Sequence, residues 1–336
     1  MTKSSRVRTG KKVAARESRR TVVAQLEAIQ NAGGDGEIDF GGGKSLHVSS
    51  LDKVYFPDDG ITKGDVMRYY ALVAPVLLPV IKDRPLILKR FPGGIAGPSF
   101  FQQNAGPHVA AGVRTGAVGT AGGARADRII GGDLPTVLYT VQIGTIAVHA
   151  WQARFGSPDV ADSTTIDLDP GENVKFGEVV ALARNIRAEL DRLELWGALK
   201  TSGSSGLHIA LPLPPNTTFD EAARLAEIVT QRVVDKYPAR ATLERSISAR
   251  PEGTIYVDAQ QNAKGKSVVA AYSVRERPRA TVSAPLAWTE LRSGLRMESF
   301  TVMTMPGRLK KVGDLWGKAM KRRNTRRSVD RVLRNA

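Results

Sequence analysis

Hydrophobic positions along this chain change their period several times, and each change marks an element. In Ser163-Thr-Thr-Ile-Asp-Leu-Asp-Pro170 apolar and polar residues alternate strictly. That alternation predicts a β-strand with Ile166 and Leu168 on one face and Asp167 and Asp169 on the other. Phe176, Val179, Val180, Ala183, Ile186, Leu190 and Leu193 then recur at helical spacing, predicting an amphipathic helix packed on a sheet. Ala198–Ser202 and Leu207–Leu213 flank Gly203-Ser-Ser-Gly206, the chemistry of a hairpin, with His208 and Ala210 opposite Leu207, Ile209 and Leu211. A second amphipathic helix is expected over about Phe219–Lys236. Thr254-Ile-Tyr-Val-Asp258 reads as a further alternating strand with Asp258 at its exit. Strands and helices mixed in this order predict an α+β fold.

The N-terminal part is less regular. Residues 1–20 carry no apolar period and are expected to be flexible, with a short helix over Thr21–Ala32 before the Gly33-Gly-Asp-Gly36 break and ordered structure from near Ile38. Gly41-Gly-Gly-Lys-Ser45 resembles a phosphate loop only superficially, because Ile38 stands where that loop needs its first glycine. Gly64–Ile81 reads as a helix bounded by prolines, and Gly93–Ala126 as a long glycine-rich loop. The most apolar stretch, Tyr69–Ile81, is 13 residues long and contains Pro75 and Pro79, which predicts neither a membrane span nor a signal sequence.

Charge and composition narrow the chemistry. Cysteine is absent, which excludes disulfides, iron–sulfur clusters and thiolate zinc sites and suits a reducing cytoplasm. Residues 1–20 hold 8 Lys/Arg against 1 Glu and residues 306–336 hold 11 against 2 Asp, and these ends account for the whole net charge of +16. The expectation is a catalytic domain over 38–300 between two basic extensions, 1–37 and 301–336, that bind nucleic acid through its phosphates.

The carboxylates are the sharpest signal. Strand residues two apart sit about 6.6 Å apart on one face, so Asp167 and Asp169 project together and require a cation. With Asp258 they form the three-carboxylate cradle of a two-metal site for Mg2+ or Mn2+, and His208 is placed to hydrogen-bond phosphate.

Taken in order, several segments resemble the polymerase domain of bacterial ligase D, of the archaeo-eukaryotic primase superfamily. They are Leu51-Asp-Lys-Val-Tyr-Phe-Pro57 with Thr62-Lys-Gly-Asp65, Arg84-Pro-Leu-Ile-Leu-Lys-Arg-Phe-Pro92, Ser99-Phe-Phe-Gln102 and Val148-His-Ala-Trp151. Further along come Ile166-Asp-Leu-Asp-Pro170, Ser202-Gly-Ser-Ser-Gly-Leu-His208, Val257-Asp-Ala-Gln-Gln-Asn262 and Tyr272-Ser-Val-Arg275. The resemblance runs from about Leu46 to Leu291. It implies a primase-polymerase core of mostly antiparallel sheets flanked by helices, with an RRM-like catalytic subdomain.

It also implies roles. Asp167, Asp169 and Asp258 match the catalytic metal ligands; Lys89, His149, Ser202, His208, Gln261 and Arg275 match the pocket for the incoming NTP or dNTP. Lys53 and Lys63 match a pair that receives the 5′-phosphate of a gapped or broken duplex, and Phe100 and Phe101 match an aromatic pair that stacks on the template. One departure stands out: Ser205 occupies a place where the family commonly has lysine. No Lys-x-Asp-Gly adenylation motif occurs, so a separate DNA ligase is the expected partner.

The reading is therefore a two-metal, template-dependent nucleotidyltransferase that fills gaps or processes ends in end joining or excision repair, or primes synthesis. The resemblance implies a preference for ribonucleotides and manganese and a cytoplasmic, nucleoid-associated site of action. Two other classes stay open: a two-metal nuclease and a non-catalytic DNA-binding scaffold.

Overall fold

In a computed structural model, residues 21–119 and 125–335 are described. The flexibility expected of residues 1–20 lies outside them. Two sheets organise the chain. The larger has the order Ala241–Thr242, Ile255–Asp258, Ser163–Pro170, Leu207–Pro212, Ala198–Thr201, Pro285–Leu286 and is antiparallel except for its first pair. Its four central strands and the helices Phe176–Arg192 and Phe219–Lys236 follow one another as strand, helix, two strands, helix, strand. That is the split βαβ arrangement of RRM-like domains, as expected from the alternation and the two helical periods.

Both helices lie on the face that carries Ile166, Leu168, Leu207, Ile209 and Leu211, all fully buried. Each starts at a carboxylate that accepts the backbone N–H of the residue before the helix: Glu178 for Lys175 and Glu221 for Thr218. The opposite face of the sheet is left for polar chemistry.

The smaller sheet runs Ser267–Val269, Thr145–Trp151, Leu86–Arg90, Phe100–Gln102, all antiparallel. The Gly93–Ala126 stretch expected as loop therefore supplies an edge strand, and Thr115–Gly119 pairs with Arg125–Ile129 as a hairpin. Glycine-rich segments hide such strands because their pairing is set by a neighbour and not by their own period.

The helix expected to be bounded by prolines is Lys63–Ile81, with Pro75 and Pro79 inside it. Thr62 and Asp65 form a reciprocal cap at its start, and burial of Tyr69, Tyr70, Val73, Ala74, Leu77 and Ile81 offsets the ladder bonds the prolines remove. By length and composition alone this helix could cross a membrane, but 56% of its apolar window is buried inside the protein.

Ordered structure begins well before Ile38. Residues 21–31 are helical, with Val22 and Leu26 in the main core. At the other end Met305–Val312, Leu315–Met320 and Arg326–Arg334 are helices that send Met305, Trp316, Val329 and Val332 into the same core.

Candidate active site between the two sheets

Register builds the site. Asp167 on the central strand stands opposite Asp258 on one side and His208 on the other, and His208 stands opposite Lys200 on the next strand. One row of the sheet thus reads Asp258, Asp167, His208, Lys200, all projecting away from the helices. Directly opposed side chains in an antiparallel pair have Cβ atoms about 4.5–5.5 Å apart. Asp169 follows in the next row, opposite Tyr256.

The carboxylates have distinct surroundings. His208 Nε2 lies 3.2 Å from Asp167 Oδ1. Burial, opposed by Lys200 and reinforced by Asp169 and Asp258, pushes the Asp167 carboxyl up to about 7. Its side chain keeps 30% of its surface, so this burial is that of a narrow cleft floor and not of a sealed core. Asp169 Oδ2 is 3.3 Å from Arg250 Nη1. Asp258 accepts hydrogen bonds from the Tyr256 hydroxyl, the Gln260 N–H and Gln261 Nε2, at 3.1, 2.7 and 3.2 Å. Among the described residues no three His, Asp or Glu side chains converge on a ready-made ion site; the acids turn instead to these protein donors.

A basic pocket adjoins the row. Arg275 Nη1 donates to the Ser202 carbonyl at 2.7 Å, which ties it to the Ser202–Gly206 turn. Ser202 Oγ accepts from Ser204 N and Gly206 N at 3.1 and 3.0 Å and braces that turn. Gly206 is required there, because a Cβ would fall 1.8 Å from the Leu168 carbonyl and lift the turn off the central strand. From the smaller sheet, Lys89 reaches Glu276 at 3.0 Å. His149, on the adjacent strand, is half-buried, with its Nε2 enclosed and without a protein partner, and burial together with Arg275 lowers it to about 4. The expected pocket residues Lys89, His149, Ser202, His208, Gln261 and Arg275 therefore surround one cleft with the three acids.

The other pair of sequence candidates sits apart on the Lys53–Lys63 turn. Lys63 N donates to the Lys53 carbonyl at 2.8 Å, and Lys63 Nζ donates to the Ser49 carbonyl at 2.7 Å. Burial first, then the Lys53 charge, lowers Lys63 to about 8. Lys63 thus opens helix Lys63–Ile81 beside the Lys53 backbone, with its own ammonium buried and turned to Ser49; a helix start is a place that favours anions. Phe100 and Phe101 are both exposed on the edge strand, flanked by Arg90 and Lys89.

Sequence reasoning did not find Lys200, Arg250 or Tyr256. Tyr256 stands two before Asp258 in the same alternation, a signal that was legible; Lys200 and Arg250 carried none. Ser205 is exposed in its turn, and Lys264 pairs with Asp159, so it does not replace the missing cation.

A row of acids beside a cluster of cations, laid across an RRM-like sheet, defines an α+β domain with a charged site on its open face. The chain belongs to the LigD primase-polymerase domain family, whose sequence model matches residues 62–316. It is 33% identical over 250 residues to the multifunctional non-homologous end joining protein LigD of Mycolicibacterium smegmatis, covering 73% of this chain and 32% of that protein. Identity to the Mycobacterium tuberculosis LigD is 36% over 279 residues, covering 80% of this chain and 36% of the relative. For the bifunctional LigD of Bacillus subtilis the values are 31% over 269 residues, 80% and 43%. The chain thus spans less than half the length of these relatives. The solved polymerase domain of Mycobacterium tuberculosis ligase D in complex with DNA superposes with a TM-score of 0.76 at 31% identity, covering 83% of this chain and 99% of that one.

Proposed function

We propose that this chain is a template-directed nucleotidyltransferase that extends primers across short gaps or at broken ends of duplex DNA during repair. The observation that carries the reading is the row Asp258, Asp167, His208 facing the pocket of Lys89, His149 and Arg275. Acids for a divalent cation and bases for a triphosphate lie within one cleft. The names of the relatives favour end joining over excision repair, and the DNA complex of the structural relative supports DNA as partner.

The donor set fits Mg2+ or Mn2+. It is all carboxylate oxygen, and the upward push on Asp167 from Asp169 and Asp258 is a repulsion that a divalent cation would offset. Asp167, Asp169 and Asp258 would hold the ions, which supply activation of the primer hydroxyl and neutralisation of charge on the triphosphate. Arg250 on Asp169 and Gln261 on Asp258 each occupy one carboxylate oxygen and compete there with a cation. Gln261, beside Asp258, and His208, whose Nε2 faces the acids, reach the nucleotide. Lys89, Arg275 and the Ser202 turn orient the triphosphate, and His149 offers its unpaired ring nitrogen. Lys53 and Lys63 receive the downstream 5′-phosphate, while Phe100 and Phe101 give a sequence-blind surface on which the template stacks. Ribonucleotide and manganese preference, action on the nucleoid in the cytoplasm, and sealing by a ligase activity outside these residues complete the proposal.

The test is extension across a short gap bearing a downstream 5′-phosphate, with Mn2+ or Mg2+ and NTPs or dNTPs, for wild type and Asp167→Ala/Asp169→Ala. Extension by the wild type alone supports the polymerase. Shortened primers would identify a nuclease, and tight gap binding without any product would identify a scaffold.

A further inference from the structure

The cations of the phosphate pocket are already engaged from within. Glu276 Oε1 lies 3.0 Å from Lys89 Nζ and its Oε2 lies 3.3 Å from Arg275 Nε. The carboxylate is only 10% exposed, against 27% for Lys89 and 15% for Arg275. Lys89 belongs to the smaller sheet and Arg275 is fastened to the Ser202 turn of the larger one, so a single carboxylate ties the two walls of the cleft together.

We propose that Glu276 is an internal anion that competes with substrate phosphates for Lys89 and Arg275 and thereby sets the affinity of this site for polyphosphate. The inference rests on the reading that these two cations take the nucleotide's phosphates. A carboxylate and a phosphate offer the same thing to an ammonium and a guanidinium, two anionic oxygens at hydrogen-bond distance. In the empty cleft Glu276 balances charges that would otherwise repel one another. When a triphosphate enters, its several negative charges displace one, and the displaced carboxylate stays close to the phosphate oxygens at an electrostatic cost. Ser205 brings no charge to the turn, Lys264 pairs with Asp159, and the Lys200 ammonium is already engaged by His208 and Ser283.

The experiment is calorimetric titration of the full chain with inorganic tripolyphosphate, without metal, nucleotide or DNA, alongside thermal melting. Glu276→Gln is expected to bind tripolyphosphate about tenfold more tightly than wild type while its empty form melts at a lower temperature. Glu276→Asp, which keeps the charge, is expected to stay within about twofold of wild type. Unchanged or weaker binding by Glu276→Gln overturns the proposal, because the carboxylate then only props Arg275. Should Glu276→Gln not fold, Glu276→Ser removes the same charge and is read in the same way. Arg275→Met separates the two levels of the argument. If it binds tripolyphosphate as well as wild type, the pocket assignment itself fails and the proposal with it; if it loses binding while Glu276→Gln is unchanged, only the proposal fails.

Discussion

Lys200 is 2% exposed, and its ammonium is spent on two neighbours, His208 Nδ1 and Ser283 Oγ, each at 2.8 Å. The Ser283 hydroxyl gives its hydrogen to the Thr201 carbonyl, so its oxygen accepts from Lys200. On the far side of the imidazole a carboxylate faces Nε2. With Lys200 charged and Asp167 ionised, both neighbours select the same tautomer of a neutral ring, with the proton on Nε2 and the lone pair on Nδ1; burial and the Lys200 charge keep that ring neutral, and burial lowers Lys200 itself to about 7. Replacing Lys200 by Met keeps the volume and removes the donor. His208 is then expected to lose its single-tautomer nitrogen signature, and the nucleotide KM to rise roughly tenfold, the cost of a misdirected hydrogen bond to a charged group. Imidazole 15N shifts, in a chain with 4 histidines, and steady-state kinetics measure the two effects. Asp167, Asp169, Asp258 and His208 were legible because each stands at a marked place in an alternating strand. Lys200 and Glu276 were not, since a polar residue in a strand does not announce which buried partner it meets.

Strands and helices place these groups, and two of their junctions are testable. Ile255–Asp258 pairs with the central strand only from Asp167 onward. Beyond that point the Asn262 side chain takes over: it accepts from Thr165 N at 2.7 Å and donates to Thr165 O at 2.8 Å. Asn262→Ala leaves both backbone groups unpaired in the interior and is expected to lower stability by roughly 2–4 kcal/mol, read by urea unfolding. The second junction is the start of helix Lys63–Ile81. Because Lys63 is lowered from 10.5 to about 8, its charged form costs stability below pH 8, and that cost fades as pH rises toward 10.5. Its charge is also what a terminal phosphate needs. Preference for 5′-phosphorylated over unphosphorylated gaps is thus expected to shrink as pH rises through about 8, and Lys53→Ala should weaken binding to the phosphorylated gap more than to the other. Equal weakening of both by Lys53→Ala would remove the phosphate role. The two long helices and three of the central strands were legible from their periods. The edge strand Phe100–Gln102 and the prolines inside Lys63–Ile81 were not, because pairing and burial by neighbours outweigh weak local preference.

At the scale of the whole molecule, the positive charge divides between residues 1–20 and residues 306–336. Arg308, Arg326 and Arg331 of the C-terminal helices pair with Glu290, Glu221 and Glu194, and Trp316, Val329 and Val332 are core residues. Removing residues 306–336 is therefore expected to lower the melting temperature by several degrees, as lost burial of three large apolar side chains demands. Deleting residues 1–20, with their 8 cations, is expected to flatten the dependence of log affinity on log salt while gap selectivity persists. Titration of gapped DNA at several salt concentrations measures that slope, and loss of selectivity would make the segment part of the recognition surface. Local periodicity was enough to settle the α+β class and to put Asp167 and Asp169 on one face of a central strand, because alternation dictates which residues share a face wherever the strand comes to lie. Lys200 meets His208 through the register of one hairpin, but which acid meets Lys89 was left to the packing of two sheets against each other. The Lys89–Glu276 contact joins residues 187 apart in the chain, and no local pattern encodes a distance of that kind.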